Sequence, residues 1–293
     1  MWADRTVSVV VALDGAGEHV PDRLAAFSRA CDGLAAELVF VHQRDAHIAP
    51  TAAIPLRTVP APSGLVPVMW GHGIAAARGS IVVLTTTQFV AREAWLRALL
   101  RRFDEADVVG AGGSIDLVAG AGMLGRAVYL IRYSEHLPAE NARPPHEIAG
   151  DNAAYRRDAV VRVCPDLPHG FWEVDAHRRL RAQRGRIVHA RDAVLDFAPV
   201  LSVRGVLRNR FVHGGHFGAY RVRELRWPRW RALAVTPLVP AALLWRIIGR
   251  VRRAGGSVTA ALSALPVMLP LLVAWAAGEA HGALSRAGAR DVG

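Results

Sequence analysis

Lysine is absent from this 293-residue chain and cysteine nearly so: Cys31 and Cys164 lie far apart, without CxxC or metal-ligand spacing. That argues against a disulfide framework, and both thiols are expected as small buried residues in a reducing compartment. There is no Gly-x-x-x-x-Gly-Lys-Ser/Thr loop, no zinc spacing and no Gly-x-Ser-x-Gly elbow. Gly15-Ala16-Gly17 lacks the last glycine of a dinucleotide fingerprint, which discounts NAD binding. No basic leader with a long apolar run precedes the first strand, so the N-terminal region is expected on the cytoplasmic side. Apolar residues make up 52% of the chain, so disorder is not its default.

What the chain has in excess is positive charge, a net +11 carried by arginine, which suits an anionic partner: phosphate, nucleic acid or an acidic lipid surface. The length suffices for one large α/β domain with an appendage. The organising stretch is 77–89, ARGSIVVLTTTQF. Its β-branched apolar run reads as a strand buried on both faces in a parallel sheet. Ligands in such sheets sit beyond the carboxyl ends of the strands, which makes Thr85, Thr86, Thr87 and Gln88 candidate donor-site residues. No carboxylate stands there.

Residues 6–13 (TVSVVVAL) form a second fully buried strand, ending in a loop at Asp14. A helix over 19–30 and a strand over 37–42 complete a βαβ unit. An edge strand is expected at 56–59, helices at 69–78 and 92–103, and a short strand at 107–111. The segment 114–148 holds a helix over 123–133 and a loop of the kind that serves as a substrate lid. Strands are expected at 186–189 and 193–197, after a helix that Phe171-Trp172-Glu173-Val174-Asp175 opens and that runs through Arg181.

The tail differs. Residues 232–248 and 258–277 are long apolar runs, separated by Arg250-Val251-Arg252-Arg253 and edged by Trp227, Trp230, Trp245 and Trp275. A domain over 1–225 and a hydrophobic, membrane-associated helical region over 226–293 are the expected division. Helices in the membrane interface keep every arginine at the headgroups, whereas a two-span hairpin puts the arginine loop outside; both stay open at this point.

The order of these pieces resembles the family 2 glycosyltransferases over about residues 6–225. Four segments carry the resemblance: the first strand, AAARGSIVVL at 75–84 with Trp95-Leu96 after it, GDNAAYRR at 150–157, and GFWEVD at 170–175. It implies an α/β fold of the GT-A (nucleotide-diphospho-sugar transferase) type, with a mostly parallel sheet flanked by helices. It also implies a nucleotide-sugar donor, a hydroxyl acceptor such as a lipid or cell-envelope glycan, and work at the cytoplasmic face of the membrane.

Glu173 or Asp175 would be the catalytic base, with a pair of charges at a helix N-terminus as the plain alternative. Between the two, Glu173 is favoured because Phe171-Trp172 before it would desolvate it. Asp151 and Asn152 would meet the acceptor, or else cap a helix over 153–157. Arg208, Arg210, His213 and His216 would lie over the donor phosphates, or else face anionic lipid. Asp14, with the Gly15 to Gly17 loop, would touch the nucleotide base, or else form a simple strand-to-helix turn.

Two departures stand out. Val41-His42-Gln43-Arg44 occupies the place of the family's acidic nucleotide contacts, and the Asp-x-Asp that holds Mg²⁺ or Mn²⁺ falls on Thr85 to Gln88. No metal ligand is assigned. A catalytically inactive domain that binds a glycan, a nucleotide or a partner enzyme is the alternative. Nucleic acid is a weaker partner because the arginines crowd toward an apolar tail.

Overall fold

A computed structural model describes residues 6–15, 17–43, 52–138, 145–223 and 225–285. Ala16, Arg44 and the 139–144 portion of the expected lid lie outside the described residues. The elements in order are β1 (Val7–Ala12), α1 (Val20–Ala30), β2 (Ala36–Gln43), β3 (Leu56–Ala61), α2 (Val66–Ala76), β4 (Ile81–Thr86) and β5 (Phe89–Ala91). Then come α3 (Trp95–Leu100), β6 (Val108–Leu117), α4 (Gly122–Tyr133), β7 (Ala153–Arg156), α5 (Arg157–Val163), α6 (Glu173–Ala182) and β8 (Arg186–Phe197). The chain ends in α7 (Val203–Arg223), α8 (Arg229–Val235), α9 (Val239–Arg253), α10 (Val258–Leu262) and α11 (Leu265–Leu284).

Among the described residues, eight strands form one sheet in the order β3-β2-β1-β4-β7-β6-β8-β5. The β1–β4, β1–β2, β2–β3 and β6–β8 pairs are parallel, while β7 runs antiparallel to both β4 and β6, and β5 to β8. Every residue of β1 (VSVVVA) and β4 (IVVLTT) is buried, as unbroken β-branched runs require.

Three expectations change on inspection. Residues 153–156 are the strand β7, not the start of a helix, so Asp151 and Asn152 stand at no helix start and form a 3₁₀ turn leading into the sheet. The two expected closing strands are one, β8, whose pairing with β6 jumps from Gly113↔Ala190 to Ser114↔Val194. Residues 191–193 bulge out there, which broke the apolar pattern. For the same reason β6 is longer than its five-residue signal, continuing through glycines to Leu117.

Helices cover both faces. On one, Val10, Val82, Leu84 and Tyr155 pack with Met69, Trp70 and Ile74 of α2, with Phe171, and with Leu180 of α6. On the other, Phe27 of α1 meets Trp95 of α3 with ring centres 5.6 Å apart. Each such large side chain taken out of water contributes about 1.5–3 kcal/mol.

By packing, the described residues divide into two compact units: those within 6–118, 136–138 and 145–200 in the first; those within 119–135 and 201–285 in the second. The expected boundary near 225 follows composition, whereas the packing boundary near 200 follows α7. That helix lies against α11 glycine to glycine: a Cβ on Gly214, Gly218, Gly278 or Gly282 would come within about 2.2 Å of a backbone oxygen of the other helix. Arg221 and Glu279 close the pair at 2.8 Å. Two helical stretches, Arg229–Arg253 and Leu265–Leu284, are long and apolar enough to cross a membrane by length and composition.

Candidate functional site

β1 and β4 end together, with Val11 opposite Thr85 and Ala12 opposite Thr86. β7 enters with Ala153 opposite Leu84, so the Gly150–Asn152 turn falls beside the carboxyl end of β4. The threonines there are buried. Thr87 Oγ1 accepts the Asp14 N–H at 3.0 Å and donates to the Asp14 carbonyl at 3.2 Å, stitching the loop after β1 to the loop after β4. Thr86 Oγ1 accepts the Gln88 N–H at 3.2 Å. The Thr85 carbonyl accepts the Trp70 indole N–H at 3.0 Å, while its buried hydroxyl has no partner among the described residues.

A hard dication wants several oxygens, preferably charged. At 85–88 the side chains offer neutral oxygens, and those of Thr86 and Thr87 are already engaged by the backbone. These residues do not fit Mg²⁺ or Mn²⁺, and among the described residues no three His, Cys, Asp or Glu side chains group as a metal site.

Glu173 opens α6 next to this strand end. Its approach is fixed by Phe171, buried against Tyr155 with ring centres 5.3 Å apart, and by the Phe171 N–H on the Pro67 carbonyl at 2.8 Å. Glu173 Oε2 accepts the Gly150 N–H at 2.9 Å. Glycine at 150 leaves room for this bond: a Cβ there would lie 2.0 Å from that oxygen and 2.9 Å from the Trp70 ring, so a larger residue displaces the carboxylate. Trp70 thus touches Gly150 while bonding Thr85, and Glu173, Gly150 and the end of β4 form one cluster. The expected desolvating pair divides its roles, since Phe171 is committed to the core and Trp172 is 55% exposed.

Asp175 is elsewhere. Two residues on, it lies about 200° around the helix, where Arg178 at 2.6 Å and Arg179 at 2.7 Å hold it. The Arg178 hydrogen bond chiefly keeps its carboxyl below the usual range, which makes it a weak base. Asn152 is fully buried and turned inward. Its Oδ1 accepts the Trp95 indole N–H at 2.7 Å, and its Nδ2 donates to the carbonyls of Ser114 at 2.8 Å and Ala193 at 3.0 Å. It pins the β8 bulge to β6.

One buried arrangement escapes sequence reasoning. His177, fully buried one turn after Glu173, has Nε2 2.7 Å from the Tyr155 hydroxyl and Nδ1 2.7 Å from Glu147, which also pairs with Arg181 at 2.5 Å. Burial holds the imidazole below its ordinary pKa, so it is neutral near pH 7. Its Nδ1–H then donates to the carboxylate while Nε2 accepts the tyrosine proton. The i, i+4 spacing of Glu173 and His177 on α6 was the available signal; Glu147 sits in a loop and gave none.

In the second unit, the Arg208 to His216 stretch lies within α7. Arg210 is half-buried with its guanidinium 5.5 Å from the centre of the Trp275 ring. Burial first, and then the charge of Arg132 on α4, lower its pKa to about 10. The same sequence of causes, desolvation and then the charges of Arg210, Arg132 and His216, holds His213 below the usual histidine value. Arg208 is exposed. Arg210, Arg132 and His216 thus face His213, with Arg208 apart on the exposed side, and Arg132, far away in sequence, was not foreseen.

No known family model matches the chain, and no curated protein matches its sequence. Solved structures do. A mannosyltransferase from Pyrobaculum calidifontis, in complex with GDP-Man and Mn²⁺, is similar over 93% of this chain and 86% of its own, at 18% identity and a TM-score of 0.51. Glucosyl-3-phosphoglycerate synthase from Mycobacterium tuberculosis, in complex with Mn²⁺, UDP and glucosyl-3-phosphoglycerate, covers 70% and 75%, at 13% identity and a TM-score of 0.41. The likeness to the mannosyltransferase is one of fold, and the fold is GT-A.

Proposed function

We propose that the chain transfers a sugar from a nucleotide-activated donor to a hydroxyl acceptor, a lipid or cell-envelope glycan, at the cytoplasmic face of a membrane. One observation carries the reading: Glu173 is held by the Gly150 N–H beside the carboxyl end of β4, on the side of the sheet where α/β folds bind ligands. In the reaction the acceptor oxygen bonds to the anomeric carbon and its proton goes to Glu173. The bond from that carbon to the diphosphate breaks, and its electron pair stays on the phosphate oxygen. Within the second unit taken by itself, we assign an affinity for phosphate to Arg210 and Arg132, because half-buried guanidinium groups bind phosphate oxygens strongly. No step runs through a metal.

Nucleotide-sugar turnover is the test, run with and without a chelator. Turnover should survive chelation and fall at least about a hundredfold in Glu173→Gln, mostly in kcat; undiminished Glu173→Gln turnover removes that residue as base. A second reading is favoured by the commitment of Thr86 and Thr87 to internal bonds. It is an inactive GT-A domain that binds a glycan, nucleotide or partner enzyme, and it predicts thermal stabilisation by nucleoside diphosphates with no turnover of any donor.

A further inference from the structure

We propose that the second unit attaches to an anionic bilayer surface without crossing it, with the α8–α9 stretch lying among the headgroups. The inference rests on the membrane part of the reading above and adds the lipid charge and the topology.

The first argument concerns α11. At 20 residues it is about 30 Å long, enough to span hydrocarbon. Its inner face is committed to α7, however, through backbone contact at Gly278 and Gly282 and through Glu279, which is 4% exposed. Glu279 is held by Arg221 at 2.8 Å and by the Trp275 indole N–H at 2.5 Å. Helix α7 carries Arg204, Arg208, Arg210, Arg221 and Arg223 with His213 and His216. Each arginine at a bilayer centre costs about 2.5–3.5 kcal/mol or more. Inserting α11 with α7 would bury those charges in lipid, and inserting it alone would strip Glu279 of its partner. Helix α11 therefore stays outside the hydrocarbon.

The second argument concerns 229–253. Arginines at 229 and 231 precede its apolar stretch 232–245, and those at 246, 250, 252 and 253 follow it. The stretch as a whole is long enough to span, but only fourteen residues, roughly 21 Å of helix, lie between Arg231 and Arg246, so covering about 30 Å of hydrocarbon would draw arginine into it. Yet Trp230 is 72% exposed, Leu238 66% and Trp245 81%, which suits a helix in the interface plane.

The third argument is charge. Among the described residues of this unit the carboxylates are Glu135 and Glu279, and each is paired to an arginine, Arg250 and Arg221. Arg226, Arg229, Arg231, Arg246, Arg252 and Arg253 are exposed beside the apolar surface. That combination matches an anionic leaflet.

Two measurements on the full chain test the proposal. In flotation, the protein should rise with vesicles of phosphatidylcholine mixed with phosphatidylglycerol and not with phosphatidylcholine alone. Replacing both Arg252 and Arg253 by Gln should weaken the anionic partition about thirtyfold. In expressing cells, cysteines placed singly at Gly256 and at the exposed Arg162 of the first unit should react with a membrane-impermeant maleimide from the same side, with the parent chain as blank. Labelling from opposite sides overturns the topology and leaves membrane attachment standing. Equal flotation on neutral vesicles overturns the role of charge. Flotation on neither vesicle overturns this inference and the membrane part of the proposed function together, while turnover tests sugar transfer separately.

Discussion

Replacing Asn152 by Ala separates two roles for that residue. The side chain is fully buried and makes three hydrogen bonds at 2.7–3.0 Å, to the Trp95 indole and to the carbonyls of Ser114 and Ala193. Each such bond is worth about 1 kcal/mol net, and stranding a buried indole N–H adds about 1–3 kcal/mol. The expected loss is about 3–5 kcal/mol, against total stabilities of about 5–15 kcal/mol. Urea unfolding followed by tryptophan fluorescence should show the midpoint falling by roughly 1.5 M at an m-value of about 2–3 kcal/mol/M. A loss under about 1 kcal/mol, with turnover abolished in a fully folded protein, would refute the argument and return Asn152 to the acceptor side.

Gly150→Ala should push the Glu173 carboxylate off its N–H and cut kcat at least about tenfold, with a stability cost of about 1–3 kcal/mol; unchanged kcat would detach Gly150 from the base. His177 favours its neutral form in the fold, so its contribution to stability is complete above the unfolded pKa of about 6.5. It is lost as pH falls through the lower folded value, at up to about 1.4 kcal/mol per pH unit. Melting temperatures across pH 4–8 should show that acid limb, and His177→Gln should flatten it. Gly218→Val drives a side chain into the Glu279 carbonyl and should lower the melting point of the second unit, whereas Gly120→Val, where a Cβ meets nothing but φ is +80°, tests backbone strain alone.

Much of the sheet was legible because β1 and β4 are continuous β-branched runs, and such runs have few other places to go. β7 was not, because Ala-Ala-Tyr-Arg after Asp-Asn also satisfies a helix start, and only the neighbours β4 and β6 decide between them. The same holds at the site. Glu173 was readable from the acidic entry to α6, but its separation from Asp175 depends on helix phase and on Arg178 and Arg179. The threonines at 85–87 were visible as missing acids; their use as stitches to Asp14 was not, since that bond joins residues 73 positions apart.

Because β7 lies between β4 and β6, β4 lacks its second partner, and β6 lacks both of its partners, until residues 153–156 have been synthesised. During translation, β4 therefore presents a bare line of amides and carbonyls after its own segment is complete. Such an edge invites pairing with other chains. A truncated product that stops short of Ala153 keeps that edge bare and is accordingly prone to aggregate, even though it contains both fully buried strands β1 and β4.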